Sequence, residues 1–296
     1  MIKYIKNEEE RMKRKTKIII ITLIVVGIVL SAILRLVISY FFEYERETIE
    51  PNEEAKICSI ETQEFQNRKI FMVYPKDIKT NLTIMYFHGG SYMAEATKEH
   101  WDFIQKLAID TNSTVIMPDY PLAPKANYKD VFDFAEPFYK ETIANIDTNQ
   151  LIVMGDSAGG GLALGLMEKI SSEDLKIPNK IMLISPWLDT KLTNTDIDEV
   201  QKRDKQLNKE TLKLAGIAYS LGDDNYLVNP IDGDLSKLKN ITIFTGKDDI
   251  LNPDVYVLKN KALEQGIEIE VKDYDNANHI WVIDKNSDEQ IVNKRI

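Results

Sequence analysis

A mostly parallel β-sheet with helices on both faces is the fold class this sequence predicts, and three observations predict it. From about residue 56 onward, short apolar runs of strand length alternate with helical stretches of ten or more residues. The alternation lapses once, between Trp187 and Pro230, as expected of an insertion over the C-terminal edge of such a sheet. The chain has 296 residues, enough for one large α/β domain and a small appendage.

The appendage comes first. Residues 1–17 read as a basic cytoplasmic tail, with Lys3, Lys6, Arg11, Lys13, Arg14, Lys15 and Lys17 against Glu8, Glu9 and Glu10. Ile18 to Leu34 then run without a charge, and as a helix at about 1.5 Å per residue they would reach roughly 26 Å, close to the thickness of a bilayer core. Arg35 is placed to snorkel, and Tyr40, Phe41, Phe42 and Tyr44 make an interfacial aromatic cluster. A cleaved signal peptide would have a shorter apolar core and a better cleavage site than Leu30-Ser31-Ala32. Residues 18–42 are therefore expected to be one N-terminal transmembrane helix, a single-pass anchor in the cell membrane. The basic flank keeps the N-terminus cytoplasmic and the main domain extracytoplasmic. Residues 43–55, charged and containing Pro51, read as a linker.

The domain proper occupies 56–296. Strands are expected at Lys56–Glu61, Lys69–Tyr74, Leu82–Phe87, Thr114–Met117, Leu151–Met154, Lys180–Ser185, Ile241–Thr245 and Glu268–Lys272. Between them, helical spacing marks Trp101–Ile109, Val131–Ile143, Gly159–Ile170 and Val255–Gln265. The charged stretch from Asp196 and the helical segment Lys209–Leu221 make a small helical cap or lid at about 188–230.

Composition excludes several functions. With 37 basic and 47 acidic residues, the formal charge is −10, which argues against nucleic acid as a partner. Cys58 is the single cysteine, so no intramolecular disulfide is possible, and the three histidines show no paired metal-ligand spacing. No metal and no cofactor are expected. The oligomeric state is left open.

Chemistry in open α/β sheets collects at the carboxyl ends of strands, and four motifs fall at such ends. Gly155-Asp156-Ser157-Ala158-Gly159 has G-x-S-x-G spacing straight after an apolar run and before a helix, the setting that thrusts a serine out of a tight turn. His88-Gly89-Gly90 follows the strand Leu82–Phe87, and bare N–H groups of Gly89 and Gly90 could join that of Ala158 in an oxyanion hole. Asp248 and Asp249 follow the strand Ile241–Thr245, where a carboxylate could orient a histidine. His279 follows the last strand. Serine, aspartate and histidine then occur in the order of an α/β-hydrolase triad. A GDSGG serine protease is excluded by the extra alanine, by a base that follows the serine, and by a chain that is not all-β.

These motifs, with Pro118-Asp119-Tyr120-Pro121-Leu122-Ala123-Pro124 and Ser185-Pro186-Trp187, resemble the hormone-sensitive-lipase-like esterases of the α/β-hydrolase superfamily over roughly residues 80–285. The resemblance implies an α/β-hydrolase fold with Ser157 as nucleophile, His279 as base and Gly89, Gly90 and Ala158 as oxyanion donors. It assigns the third triad position to Asp249, from the run Asp249-Ile250-Leu251-Asn252-Pro253-Asp254, with Asp248 as the adjacent rival. His88, Gly155, Asp156 and Gly159 support the motifs. Ser91 stands where the commonest form has a third glycine, and the family's N-terminal cap is replaced by the anchor and linker. The expected function is a membrane-anchored serine carboxylesterase acting on small, short-acyl esters through an acyl-enzyme. Acyl transfer or peptide hydrolysis on the same triad is the alternative. A non-catalytic binding module on this scaffold would be expected to lack a triad member.

Overall fold

Gln66 (φ 49°) and Asn67 (φ 60°), both left-handed, close a tight hairpin between β1 (Ser59–Phe65) and β2 (Arg68–Tyr74). The computed structural model describes residues 12, 14–22, 24–27, 51 and 56–283. After the hairpin come β3 (Thr83–Phe87), α1 (Lys98–Thr111), β4 (Thr114–Pro118), α2 (Tyr128–Asn145), β5 (Leu151–Asp156) and α3 (Ser157–Ser172). β6 (Lys180–Ile184) precedes the insertion, which holds the one-turn α4 (Ile197–Val200) and α5 (Lys209–Ser220). β7 (Ile241–Gly246), α6 (Asn252–Glu264) and β8 (Ile269–Tyr274) complete the described domain. Among the described residues the sheet has eight strands in the order β1-β2-β4-β3-β5-β6-β7-β8. Only β1–β2 and β2–β4 pair antiparallel; the other neighbours are parallel.

The strand period of two splits the core across the sheet. Met85 and Phe87 of β3 pack on one face with Val153, Leu162 and Val255, while Ile84 and Tyr86 pack on the other with Trp101, Ile104 and Trp281. Where the elements depart from expectation, capping and edges are the reason. α1 starts at Lys98 because Thr97 and His100 form a capping box, and α2 starts at Tyr128 because Asn127 and Asp130 do the same. β1 lies later than Lys56–Glu61 because it is an exposed edge strand with no apolar face to mark it.

By internal contacts the chain divides into two units, Met1–Glu45 and Arg46–Ile296. Of the expected transmembrane segment, residues 18–22 and 24–27 are helical; residues 23 and 28–42 lie outside the described residues. So do most of the expected basic tail and all of the linker but Pro51. Among the described residues no helix is long and apolar enough to cross a membrane.

α3 is the most buried helix and carries one misfit. Glu168 is 2% exposed, and neither carboxyl oxygen has a hydrogen-bond partner among the described residues. Gly233 leaves room for it, since a Cβ there would lie 2.0 Å from the Glu168 carboxyl carbon. Burial pushes the Glu168 carboxyl well above the usual range; Lys261 opposes this, and Asp234 and Asp232 add to it. A carboxyl raised by folding contributes stability below its unfolded pKa and loses it as pH rises through its folded one. Glu168→Gln is therefore expected to raise stability at pH 8 by ~1–3 kcal/mol, with a smaller gain at pH 4. Urea unfolding of both proteins at the two pH values checks this; a lower midpoint for the variant at pH 8 would contradict it.

Candidate active site

β5 ends at Asp156, and Ser157 opens α3 with φ 51°, a left-handed conformation that costs a non-glycine residue about 1–2 kcal/mol. The turn is tight enough to require its glycines. A Cβ on Gly155 would meet Gly159 O at 2.3 Å, and one on Gly159 would meet Phe87 O at 2.1 Å. Ser157 thus stands at the carboxyl end of the central strand, beside the end of β3 and above the N-terminus of a helix.

Two later strand ends reach it. His279 lies in the loop after β8, which is pinned to the end of β7: Asp248 N–H donates to Ala277 O (3.0 Å) and Trp281 Nε1–H to Thr245 O (3.3 Å). Ile280 N–H donates to Ser185 Oγ (3.1 Å), tying the same loop to the end of β6. So held, His279 Nε2 lies 3.0 Å from Ser157 Oγ and Nδ1 lies 2.9 Å from Asp249 Oδ2. A carboxylate only accepts, so Nδ1 carries the proton and Nε2 is left to accept from the serine hydroxyl. Asp249 is wholly buried, and its other oxygen accepts from Leu251 N–H at 2.9 Å. Asp248 turns outward to Arg203 Nε at 3.0 Å, so of the two neighbours only Asp249 meets the histidine.

Burial disfavours the charged imidazole of His279, but the charge and hydrogen bond of Asp249 outweigh it, aided by Asp204 and Asp156, and the pKa is raised above 6.5. A base must be neutral to take a proton. kcat/KM for a neutral ester is therefore expected to rise with pH through an inflection above 6.5, read from a pH–rate profile. An inflection well below that value would show that Asp249 does not support the imidazolium.

The loop after β3 departs from expectation at one atom. Gly89, expected as an oxyanion donor, already gives its N–H to Asp156 Oδ1 at 2.9 Å. It is therefore not free to meet an oxyanion, and its place so close to Asp156 is one a side chain could not share: a Cβ would lie 2.2 Å from Asp156 Oδ2. Gly90 (φ 117°) follows in the same turn, and Ala158 sits in the first turn of α3, where N–H groups have no intrahelical acceptor. Of the three expected donors, the hydrogen bond to Asp156 commits Gly89 alone. His88 keeps out of the site: its Nδ1–H donates to Gly89 O (2.7 Å), and its ring stacks on Tyr120 at 4.7 Å. Burial, with the charge of His100, lowers His88 to about 4, so it is neutral at ordinary pH.

Asp156 is the hub of this loop. Besides Gly89 N–H it accepts from Tyr86 OH, and it lies 3.2 Å from His100 Nε2. Burial alone would raise its carboxyl, but the charge and hydrogen bond of His100 and the hydrogen bond of Tyr86 hold it below the usual range. The sequence gives no role to Tyr86 or His100, and marks Tyr120, whose hydroxyl donates to His88 O at 2.7 Å, only as part of the run Pro118–Pro124. The available signal was Thr97-x-x-His100, a capping box with histidine in place of the usual acid or amide, which commits Nδ1 to Thr97 N–H and leaves Nε2 for Asp156. Among the described residues, no group of three or more His, Cys, Asp or Glu is arranged to hold a metal ion.

A family model for the alpha/beta hydrolase fold matches residues 84–283 of this chain. An esterase from Acinetobacter venetianus is 32% identical over 196 residues, 64% of this chain and 64% of that protein. An acetyl-hydrolase from Streptomyces hygroscopicus is 25% identical over 202 residues, 67% of this chain and 68% of its own. The chain thus spans about two thirds of the length of the curated relatives it matches. The crystal structure of an esterase from the bacterial hormone-sensitive lipase family has the same fold, with a TM-score of 0.75 over 83% of this chain and 84% of that one, at 21% identity.

Proposed function

This chain belongs to the α/β-hydrolase fold family, and from that membership we propose that it is a serine carboxylesterase that works through an acyl-enzyme. The observation that carries the proposal is the continuous line Ser157 Oγ–His279 Nε2 (3.0 Å) and His279 Nδ1–Asp249 Oδ2 (2.9 Å), in a site with all three side chains buried. His279 takes the Ser157 proton as Oγ attacks the ester carbonyl. The oxygen gathers negative charge against the N–H groups of Gly90 and Ala158. Collapse breaks the bond to the alcohol, which leaves with the proton from His279. Water then attacks the acyl-serine, giving a proton to His279, and collapse breaks the acyl–Oγ bond, returning that proton to Ser157 Oγ as the acid departs.

A short acyl group is the substrate class favoured by the likeness to the Streptomyces acetyl-hydrolase. The apolar run 18–42 between a basic flank and Glu43-Tyr44-Glu45 supports a membrane anchor with the hydrolase domain outside the cytoplasm.

A fluorophosphonate probe on the detergent-solubilised full chain tests the mechanism. The expected adduct lies on the peptide bearing Ser157; no adduct, or one elsewhere, rejects it. On a p-nitrophenyl ester series, kcat/KM is expected to peak at acetate or butyrate, and a peak at ten or more carbons would remove the short-acyl assignment. A C-terminal reporter active only in the cytoplasm would reverse the topology.

A further inference from the structure

The turn after β3 is strained over three successive residues. Gly90, Ser91 and Tyr92 have φ of 117°, 56° and 59°, and the last two are left-handed without being glycine. Ser91 stands where a glycine would take that conformation freely, so the turn relaxes unless its surroundings hold it. Some of that hold is local. Met93 and Ala94 N–H donate to Gly90 O at 2.9 and 2.8 Å, and Tyr92 O accepts from Ala123 N–H at 2.8 Å.

The Tyr92 side chain is held from the insertion. Its buried ring lies flat on that of Tyr219 in α5, with centroids 3.6 Å and planes 3° apart. Trp187 packs on the same Tyr92 ring at 5.7 Å, and Trp187 N–H donates to Ser157 O at 2.8 Å, so the stack abuts the serine turn. Tyr219 is itself fixed. It is wholly buried, and Tyr128 of α2 packs edge to face with it at 6.3 Å. α5 also sits so close to the segment after β6 that a Cβ on Gly216 would lie 2.4 Å from Thr190 O.

The insertion therefore reaches the strained turn through one ring, two residues from Gly90. We propose that Tyr219 is a positioning residue for the reaction: it clamps Tyr92, and through Tyr92 it keeps the Gly90 N–H aimed at the oxygen on which charge gathers. This rests on the ester hydrolysis proposed above, with Gly90 as an oxyanion donor. Tyr219 acts through Tyr92 and not on the ester. The flat face of the ring, and not its hydroxyl, makes the contact, so removing the face loosens the turn while removing the hydroxyl does not.

Hydrolysis of p-nitrophenyl acetate by the full-length protein provides the test. Tyr219→Phe keeps the face and should hold kcat within about threefold. Tyr219→Leu removes it and should lower kcat by about 10- to 100-fold, less than the loss of a whole oxyanion donor, with KM within about threefold. Affinity for a trifluoromethyl ketone, to which Ser157 Oγ adds reversibly to give an oxyanion, should fall in step with kcat. The pH inflection of kcat/KM should stay at its wild-type place, because the triad is untouched. Leu212→Ala, a buried truncation on the same helix outside the stack, should lower Tm yet keep kcat within about threefold. A Leu212→Ala protein as slow as Tyr219→Leu overturns the proposal, as does a moved inflection, a Tyr219→Leu protein that keeps its kcat, or a Tyr219→Phe protein that loses it. Should Tyr219→Leu fail to fold, Tyr219→Met, which fills the space without a flat face, decides by the same criteria. A wild-type protein that hydrolyses no ester and takes no fluorophosphonate at Ser157 rejects ester hydrolysis and this proposal with it; an active wild-type protein whose Tyr219→Leu variant is equally fast rejects this proposal alone.

Discussion

Replacing Ser157 by alanine is expected to lower kcat by about 10⁴- to 10⁶-fold with little change in KM. The substitution removes one atom, the Oγ that lies 3.0 Å from His279 Nε2, and leaves the backbone of the turn in place. Asp249→Asn should cost about 10⁴-fold by a different route. An amide that donates to Nδ1 forces the proton onto Nε2, where it faces the serine hydroxyl instead of accepting from it. The double variant should be no slower than Ser157→Ala, because the residues act as one unit. Rates of p-nitrophenyl acetate hydrolysis, with near-UV circular dichroism to show an unchanged fold, provide the measurement. A Ser157→Ala protein within tenfold of wild type would remove Ser157 from the chemistry.

The second large effect concerns stability. Gly159→Ala is expected to destabilise the domain by ~3 kcal/mol or more. Its Cβ would lie 2.1 Å from Phe87 O and 2.4 Å from His88 O, and both are backbone atoms that cannot swing aside. Relief requires α3 to retreat from the end of β3, which also displaces Ser157 from the loop that carries Gly90. Gly165→Ala, on the same helix, is the control: the nearest atom to its Cβ is Phe132 Cζ at 3.3 Å, with Tyr226 O and Leu227 O at ordinary contact distances of 3.6 and 3.8 Å, and the change should shift stability by no more than ~1 kcal/mol. Urea midpoints for the two variants discriminate; equal small shifts would show that the elbow tolerates a side chain at Gly159.

The likeness of the two glycines in sequence and their difference in space illustrates how much was legible beforehand. Strand–helix alternation, the elbow and the positions of Asp249 and His279 after their strands are short-range patterns, and the structure places all three side chains together. Helices start before the first residue of the apolar stripe where a cap sets them, as at Thr97 and Asn127. β1 was shifted because an exposed edge has no buried face to read. Glu168 and Asp254 gave no warning at all. In sequence each is an ordinary acid on a helix, and only the packing of Gly233 and Asn194 against them shows how buried they are.

What the sequence determined by itself is the parallel α/β sheet, the strained serine turn and the chain order of serine, aspartate and histidine. Each is encoded within a few residues, by period, by glycine spacing or by position after a strand. The tertiary structure alone decided which N–H groups are spent and which carboxylate turns inward. Gly89 and Asp156 are 67 residues apart, yet the parallel pairing of β3 with β5 brings them to 2.9 Å and removes Gly89 from the oxyanion donors. Asp248 and Asp249 are adjacent, yet Arg203 draws one outward while His279 meets the other. Hydrogen-bond partners are set by strand register and loop packing, and neither is written in the residues that form the bond.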